Sequence, residues 1–402
     1  MNLLWRQLTK AVNWPVFLAT GVLVTMGVVS IAAHSAAGVR AAGDVRKQIL
    51  FIVLGIACAV AVQLASYISI GRYAWGYYLL SMALLVYTVT PGVPSSGLFG
   101  VPEINGARAW INCGVLNLQP SELTKVAVCM LLARYLRFRS SYRTLRGLMA
   151  PFALVVAPLV LILKQPDLGT ALVFIPALFI VLYAAGAKGR HLLAILAMGS
   201  VLAAAAWFAG PREKTGLSFE LPVLRHLPAM IRTYQRARVY ALFSRDPAVM
   251  REAGFQQQQA LTAFGSGGAW GRGAGVIPAG RSVPEAHNDM IFALIGEQFG
   301  FAGAATVVAA YLVLLAAGLE IAASTREPFG RLLAVGITSM LAGQTLLNLM
   351  VAVRMMPVTG VTLPLVSYGG SSMLASFIAI GLLLNIAHNR PLVIAKDPFE
   401  FE

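Results

Sequence analysis

Charged residues are scarce in this chain of 402 residues. They make up 12% of the sequence, whereas hydrophobic residues make up 58%, and the mean hydropathy is +0.74. In a soluble domain, roughly half of the residues are apolar and about a quarter are charged. The composition therefore excludes an ordinary soluble domain and predicts an all-α polytopic membrane protein.

Acidic residues and cysteines are also few. The 16 Asp and Glu residues face 31 Lys and Arg residues, which gives a net charge of +15. In a soluble chain this excess would suggest a nucleic-acid partner. Here no nucleic acid is expected, because many of the basic residues lie in short connections between apolar segments, where they set membrane orientation. The three cysteines have neither metal-site nor disulfide-framework spacing.

The sequence also lacks the motifs of nucleotide chemistry. Its glycine-rich stretch, 265–275, has no Gly-Lys-Ser/Thr and follows no predicted strand, so it is not a P-loop. We interpret it as flexible backbone beside a substrate groove, and we expect no nucleotide cofactor. A reaction in this protein would then use a bond that is already activated in the substrate.

Long apolar segments dominate the rest of the chain. A membrane span needs about 20 mostly apolar residues. Ten segments fit: 14–34, 48–68, 73–91, 120–137, 147–164, 168–186, 190–210, 289–321, 329–352 and 367–388. The eighth is too long for one span, and its glycines at 296, 300 and 303 predict a short half-helix before the main one. We predict about ten transmembrane helices in a single domain, 1–402, with one large extracytoplasmic loop, 211–288, between helices 7 and 8.

The distribution of Lys and Arg predicts the orientation. They are more frequent in the short connections on the side of the N-terminus, which favours cytoplasmic placement of both termini. The polar clusters near the span ends, 105–125, 164–170, 211–289 and 360–372, then all fall on the outer side. Because pockets gather polar groups on a helical frame, we expect these four segments to converge on one site.

Two of these clusters carry charges beside apolar helices. Glu122 and Lys125 are three residues apart and share a helix face. The pair can hold two helices together, or it can present Lys125 to an anionic ligand. Asp167 lies in the first turn of a predicted helix, where a capping role is favoured.

The large outer loop supplies arginines and the strongest candidate for catalysis. Arg236 and Arg238 lie in a stretch of the sequence, 225–245, that contains several arginines and no acidic residue. This composition indicates a phosphate or diphosphate ligand; anionic lipid headgroups are the alternative. The stretch 284–297 then carries Glu285, His287 and Asp289 into an apolar run. Asp289 either caps the following helix or serves as a general base, with Glu285 as the second candidate.

Five motifs in one order resemble the SEDS family of bacterial cell-wall proteins (shape, elongation, division and sporulation). The resemblance runs from about residue 45 to 390. The motifs are Asn-Gly-Ala-Arg-x-Trp-Ile and Gln-Pro-Ser-Glu-x-x-Lys within 105–125, Gln-Pro-Asp-Leu-Gly-Thr at 165–170, Pro-Glu-Ala-His-x-Asp at 284–289, and Leu-Pro-Leu-Val-Ser-Tyr-Gly-Gly-Ser-Ser at 363–372.

The resemblance implies a glycosyltransferase that polymerises lipid II, with inversion, at the outer face of the bacterial cytoplasmic (inner) membrane. It also implies a class B penicillin-binding protein as partner and a divalent cation, Mg or Mn, at a site the sequence does not reveal. Asp289 matches the family's essential acid. The candidate substrate-binding residues are Arg108, Trp110, Glu122, Lys125, Asp167, Arg236, Arg238, Glu285, His287, Ser367 and Tyr368.

Two branches of the family and two other functions stay open. The arginine-rich segment 131–139 favours the elongation branch, RodA, whereas 287–297 is closer to the division branch, FtsW; we prefer elongation. A lipid II flippase would need a polar track that reaches the inner face. A non-catalytic scaffold would tolerate single substitutions of its buried polar residues.

Overall fold

The computed structural model describes residues 13–36, 44–104, 106–114, 116–139, 141–208, 233–244, 246, 249, 254–273 and 286–389. These contain thirteen α-helices: α1 Trp14–Ala36, α2 Val45–Gln63, α3 Tyr67–Arg72, α4 Ala74–Val89, α5 Pro120–Arg137, α6 Leu145–Lys164, α7 Leu168–Ala185, α8 Gly189–Phe208, α9 Thr233–Phe243, α10 Phe255–Ser266, α11 Ile291–Ser324, α12 Pro328–Ala352 and α13 Gly370–His388. Two short antiparallel strands, β1 Ile111–Asn112 and β2 Asn117–Leu118, lie between α4 and α5.

Every predicted span contains a helix, and the all-α polytopic class is confirmed. Eight of the helices are long and apolar enough to cross a membrane. Two of the ten predicted spans fall short of this criterion. They contain α4, which has only 16 residues, and α5, which carries charged side chains near both of its ends. Below, the outer end of the bundle is the end where α5 begins, and the inner end is the end where α5 stops.

Two predicted boundaries are corrected by local polar residues. The span 48–68 is interrupted, because α2 ends at Gln63 and the separate helix α3 starts after Ser66, whose hydroxyl accepts a hydrogen bond from Ser69 N at 3.3 Å. The last span begins at Gly370 instead of residue 367. Serine caps and glycines can end a helix inside an apolar stretch. Hydropathy alone does not detect such an end and predicts one continuous span.

Close packing depends on small residues at helix contacts, as is usual in membranes. A methyl group at Gly27 in α1 would lie 2.4 Å from the carbonyl oxygen of Val366. One at Gly381 in α13 would lie 2.9 Å from Cα of Ala59 in α2. The central helix α12 packs on α5, α7 and α11, and α13 packs on α2. By contrast, α8 buries only Leu192 and lies at the periphery.

The long helix α11 is broken at Gly300, where φ is +64° and ψ is −161°. The break confirms the predicted half-helix, and the glycine-rich segment pairs with it. Four backbone hydrogen bonds join the two: Arg272 N to Glu297 O (2.9 Å), Gly273 N to Gln298 O (3.1 Å), Phe301 N to Gly268 O (2.8 Å) and Ala302 N to Ala269 O (3.1 Å). The interpretation of residues 265–273 as flexible backbone beside a groove is therefore wrong, because they satisfy the polar groups that the break exposes.

We predict that Gly300→Ala destabilises the protein. Only glycine adopts this backbone conformation readily, at a cost of about 1–3 kcal/mol for other residues, and the new methyl group would lie 2.3 Å from Gly271 N. Thermal unfolding in detergent measures the effect. The control is Gly21→Ala in α1, where nothing lies within 4 Å of the added methyl. Equal unfolding temperatures for Gly300→Ala and the wild type would contradict the prediction.

Candidate active site at the outer end of the bundle

Hydrogen bonds join the polar clusters that are far apart in sequence. The Gln119 side chain donates to Asp167 Oδ2 at 3.1 Å, and the Gln119 backbone N–H donates to Ser371 Oγ at 2.8 Å. The Ser367 hydroxyl donates to the carbonyl oxygen of Asn288 at 2.6 Å. The four predicted segments therefore meet at the outer end of the bundle, as expected from their topology.

Asp289 lies in the turn 286–290 that leads into α11, and 8% of its surface is exposed. The Gln256 amide donates to its Oδ1 at 3.2 Å, and Asn348 Nδ2 donates to its backbone oxygen at 2.8 Å. The N-cap of α11 is Met290, and no side chain makes a capping hydrogen bond there. The capping interpretation of Asp289 is therefore wrong, and its buried carboxylate accepts from Gln256 of α10 instead of from the start of α11.

The turn that carries Asp289 is braced by the Ser-Tyr segment before α13. Tyr368 N donates to the carbonyl oxygen of His287 at 2.8 Å, and the two rings meet edge to face with their centroids 5.4 Å apart. The Ser367 hydroxyl bonds Asn288, as described above, and accepts from Leu363 N at 2.7 Å. Ser367 and His287 are both buried. These predicted substrate-binding residues thus position the turn.

Glu122 and Lys125 form a buried ion pair on α5. Lys125 Nζ lies 2.8 Å from Glu122 Oε1 and donates to Gln344 Oε1 at 2.6 Å. Because Lys125 is only 2% exposed, this conformation corresponds to the helix-joining alternative. The Gln344 side-chain N–H in turn donates to Thr362 O at 3.0 Å. Asn348, one turn further along α12, donates to Val361 O at 2.7 Å. One face of α12 therefore connects the ion pair with the Asp289 turn.

Asp167 is the N-cap of α7, as the favoured interpretation predicted. Its Oδ1 accepts a hydrogen bond from Thr170 N at 2.9 Å, and its other oxygen accepts from Gln119. Burial raises the pKa of Asp167 above its ordinary value, although the hydrogen bonds from Thr170 act in the opposite direction. The cap fixes the outer end of α7 next to the start of α5.

The predicted arginines differ in their surroundings. Arg108 Nη2 donates to Val93 O at 2.6 Å, while its buried Nε has no partner. Arg238 Nη1 donates to Val358 O at 3.1 Å, which ties α9 to the segment after α12. Arg236 lies on α9 and Trp110 precedes β1, and both are half-buried. Glu285 lies outside the described residues.

The divalent cation implied by the family resemblance would need acidic or histidine ligands. Within the part of the chain that the structure describes, no group of three or more His, Cys, Asp or Glu side chains could hold a metal ion. The cation stays a prediction.

Sequence reasoning missed the amides and one arginine that organise the site. Gln119, Gln256, Gln344 and Asn348 make the contacts given above. Arg354 Nη2 donates to Ala241 O at 3.0 Å and to Ser244 O at 3.3 Å, which anchors the end of α9. The spacing of Gln344 and Asn348, four residues apart in an apolar helix, was the available signal, because buried amides in a membrane helix need partners.

The fold and the outer polar site define a polytopic membrane protein whose functional groups gather at one end of its helices. Residues 10–391 match the family model of FtsW, RodA and SpoVE, which is described as cell cycle protein. The chain therefore belongs to this family, the SEDS family.

Curated relatives cover nearly the whole chain. It is 32% identical over 380 residues to the probable peptidoglycan glycosyltransferase FtsW of Trichlorobacter lovleyi, covering 91% of this chain and 90% of the relative. It is 31% identical over 380 residues to the stage V sporulation protein E of Bacillus subtilis, covering 92% of this chain and 95% of the relative.

Solved structures show the same fold. The rod shape determining protein RodA of Thermus thermophilus is 28% identical, with a TM-score of 0.65 over 94% of this chain and 97% of that one. A chain from a structure on the coordination of polymerization and crosslinking by a peptidoglycan synthase complex is 31% identical. Its TM-score is 0.75, over 94% of this chain and 98% of its own length.

We predict that the two charges of the ion pair on α5 depend on each other. Breaking a buried pair from one side typically costs about 3–5 kcal/mol, whereas replacing both partners costs far less. Glu122→Gln and Lys125→Met alone should each lower the unfolding temperature strongly, and the double variant should recover most of the loss. Thermal unfolding of the wild type, the two single variants and the double variant in detergent gives the coupling free energy between the two charges. Additive losses in the double variant would show that the pair is not coupled.

Proposed function

We propose that this protein is a peptidoglycan glycosyltransferase. It polymerises lipid II, a disaccharide-peptide on undecaprenyl diphosphate, at the outer face of the bacterial cytoplasmic membrane, with both of its termini in the cytoplasm. The observation that carries the proposal is the buried carboxylate of Asp289, which does not cap α11 and lies where the polar segments meet. The name of the FtsW relative supports the same chemistry.

Asp289 acts as the general base. Its carboxylate takes the proton from the attacking hydroxyl of the acceptor sugar, whose oxygen forms a bond to the anomeric carbon of the donor. The bond from that carbon to the diphosphate oxygen breaks, and undecaprenyl diphosphate leaves from the opposite face, so the configuration is inverted. General-base catalysis of this kind is typically worth about 10²–10⁴ in rate. Gln256 orients the carboxylate through Oδ1.

Positive charge near the leaving diphosphate stabilises the transition state, in which negative charge develops on that group. Arg236 and Arg238 supply it from α9, and Arg238 is anchored to Val358 beside the site. Lys125 adds a buried cation at the outer end of α5, although Glu122 largely balances its charge.

The distribution of charge favours polymerisation over lipid II transport. No charged residue occurs in 126–133 of α5, 298–319 of α11 or 332–352 of α12. These stretches separate the outer group of Glu122, Lys125 and Asp289 from the inner ion pair between Arg137 and Glu327, at 2.9 Å. A flippase that moves a diphosphate across the membrane needs groups along its path that balance the charge of the diphosphate. The buried polar side chains of α12 over this depth are uncharged: Thr338, Ser339, Gln344, Thr345 and Asn348.

We predict that Asp289→Asn abolishes polymerisation, because it keeps the shape of the side chain and removes the base. The assay follows glycan strands made from purified lipid II by protein copurified with its class B penicillin-binding partner. The loss should be at least about 100-fold. The matched control is Glu103→Gln, an exposed acid in the outer connection before α5, which should leave the rate unchanged. Full activity of a folded Asp289→Asn protein would overturn the role of Asp289.

We also propose a partner protein and a branch of the family for this chain. A class B penicillin-binding protein fits the similar chain that comes from a peptidoglycan synthase complex. For the branch, elongation stays our prediction; the relatives reported above include FtsW and SpoVE, and the solved structures include RodA.

We predict that the chain restores rod shape when it is expressed in cells depleted of RodA. The measurement is cell width and length by microscopy, with the Asp289→Asn variant as the inactive control. Restored septation in cells depleted of FtsW, without restored width in cells depleted of RodA, would assign the chain to division instead.

A further inference from the structure

Basic residues gather at the inner end of the bundle, opposite to Asp289. Five exposed side chains form this group, called here the inner basic patch: Arg139, Arg143, Arg146, Lys188 and Arg190. The sequence from 134 to 190 contains a single acid, Asp167, and that residue caps α7 at the outer end. The patch therefore has no acid on its own segments to balance its charge.

The fold brings the two connections that carry the patch together. The ring of Tyr142 comes within 3.8 Å of the position of a methyl group on Gly186, so the α5–α6 connection touches the α7–α8 connection. Ala187, before α8, and Leu192, in its first turns, are both buried. The cations thus share one surface.

Aromatic rings at the end of α5 order some of the neighbouring guanidinium groups without neutralising them. The Arg139 guanidinium lies 4.6 Å from the centre of the Tyr135 ring. The Arg134 guanidinium lies 5.5 Å from the ring centre of Phe138, which is itself 67% exposed. Arg137 lies 4.8 Å from the same ring but pairs with Glu327, so it is not counted in the patch. A stacked guanidinium keeps its charge and its donors for an anion.

Helix stability does not explain these cations. Arg146 and Arg190 lie in the first turns of α6 and α8, and neither first turn contains an acid. The helix dipole disfavours positive charge at a helix start. An anion bound at this surface would offset that cost.

Apolar side chains continue from the patch toward the middle of the membrane. Leu145 and Met149 of α6, Tyr183 of α7 and Leu193 of α8 are all largely exposed. A ligand that matches both surfaces has an anionic phosphodiester next to acyl chains. A soluble acidic peptide would match only the charges.

We infer that the inner basic patch binds the headgroup of an anionic phospholipid, whose acyl chains lie along the exposed faces of α6, α7 and α8. The guanidinium and ammonium groups bind the phosphate oxygens. The binding itself does not depend on the proposed glycosyltransferase activity. The leaflet that supplies the lipid follows from the proposed orientation and is the cytoplasmic one.

The test measures the binding of phosphatidylglycerol and of phosphatidylcholine to the full-length protein in detergent by native mass spectrometry. The variant Arg146→Gln/Arg190→Gln should bind phosphatidylglycerol at least about tenfold more weakly, since each cation near an anionic lipid is worth about 1 kcal/mol. The control Arg326→Gln/Arg331→Gln removes two exposed cations at the same end of the bundle, one in the α11–α12 connection and one in the first turn of α12. It should bind as the wild type does, and phosphatidylcholine should bind weakly to all three proteins.

Three outcomes would overturn the inference. Equal losses in both double variants would mean that only the overall charge of the inner face matters. Displacement of the lipid by glycerol phosphate at the same concentration would indicate a soluble phosphate site without acyl contacts. Displacement by a polyglutamate peptide at that concentration would indicate an acidic protein partner. Unfolding temperatures within 1–2 °C of the wild type, roughly the shift of a sub-kcal/mol change, verify that both variants are folded.

Discussion

The carboxamide of Asn348 is the contact on which the outer end of the bundle depends. It donates to the backbone oxygens of Asp289 and Val361, which belong to the two loops at the centre of the site. Gln344, one turn away on α12, links Thr362 with Lys125. Water is scarce at this depth, so each backbone group that leaves a helix needs a partner within the protein. Two amides on one rigid helix therefore determine where the ends of α5, α11 and α13 meet.

The inner end obeys the same constraint with different residues. Asn385 donates to the carbonyl oxygens of Val62 and Ala65 at the end of α2 and accepts from Tyr67 N at the start of α3. Arg137 pairs with Glu327, whose carboxylate also caps α12. At both ends of the bundle, a few polar side chains thus form hydrogen bonds with backbone groups at the ends of neighbouring helices. Between the ends, the helices pack through close contacts at small residues.

Hydropathy, charge and glycine spacing were sufficient to predict the helical spans, the break in α11 and the meeting of the polar segments. The spans and the break depend on composition along a single stretch of chain, and the meeting of the polar segments follows from the order and orientation of the spans. The partners of individual side chains were not predictable in this way. Nothing near Gln256 in the sequence indicates that it reaches Asp289, and nothing near Arg238 indicates that it binds Val358 O. The same is true of the glycine-rich segment, whose partner at Gly300 becomes apparent only when both backbones are in place.

The first part of α11, before Gly300, is held at both of its ends by the large outer loop. Gln256 of α10 holds the Asp289 carboxylate at one end, and residues 268–273 pair with the backbone around Gly300 at the other. Between these points, Phe264 of α10 packs against Phe292, with ring centroids 5.5 Å apart. The placement of α10 and the placement of the Asp289 carboxylate are consequently coupled. Any molecule that binds α10 more tightly when α10 contacts the start of α11 also stabilises the position of Asp289, by the same free energy.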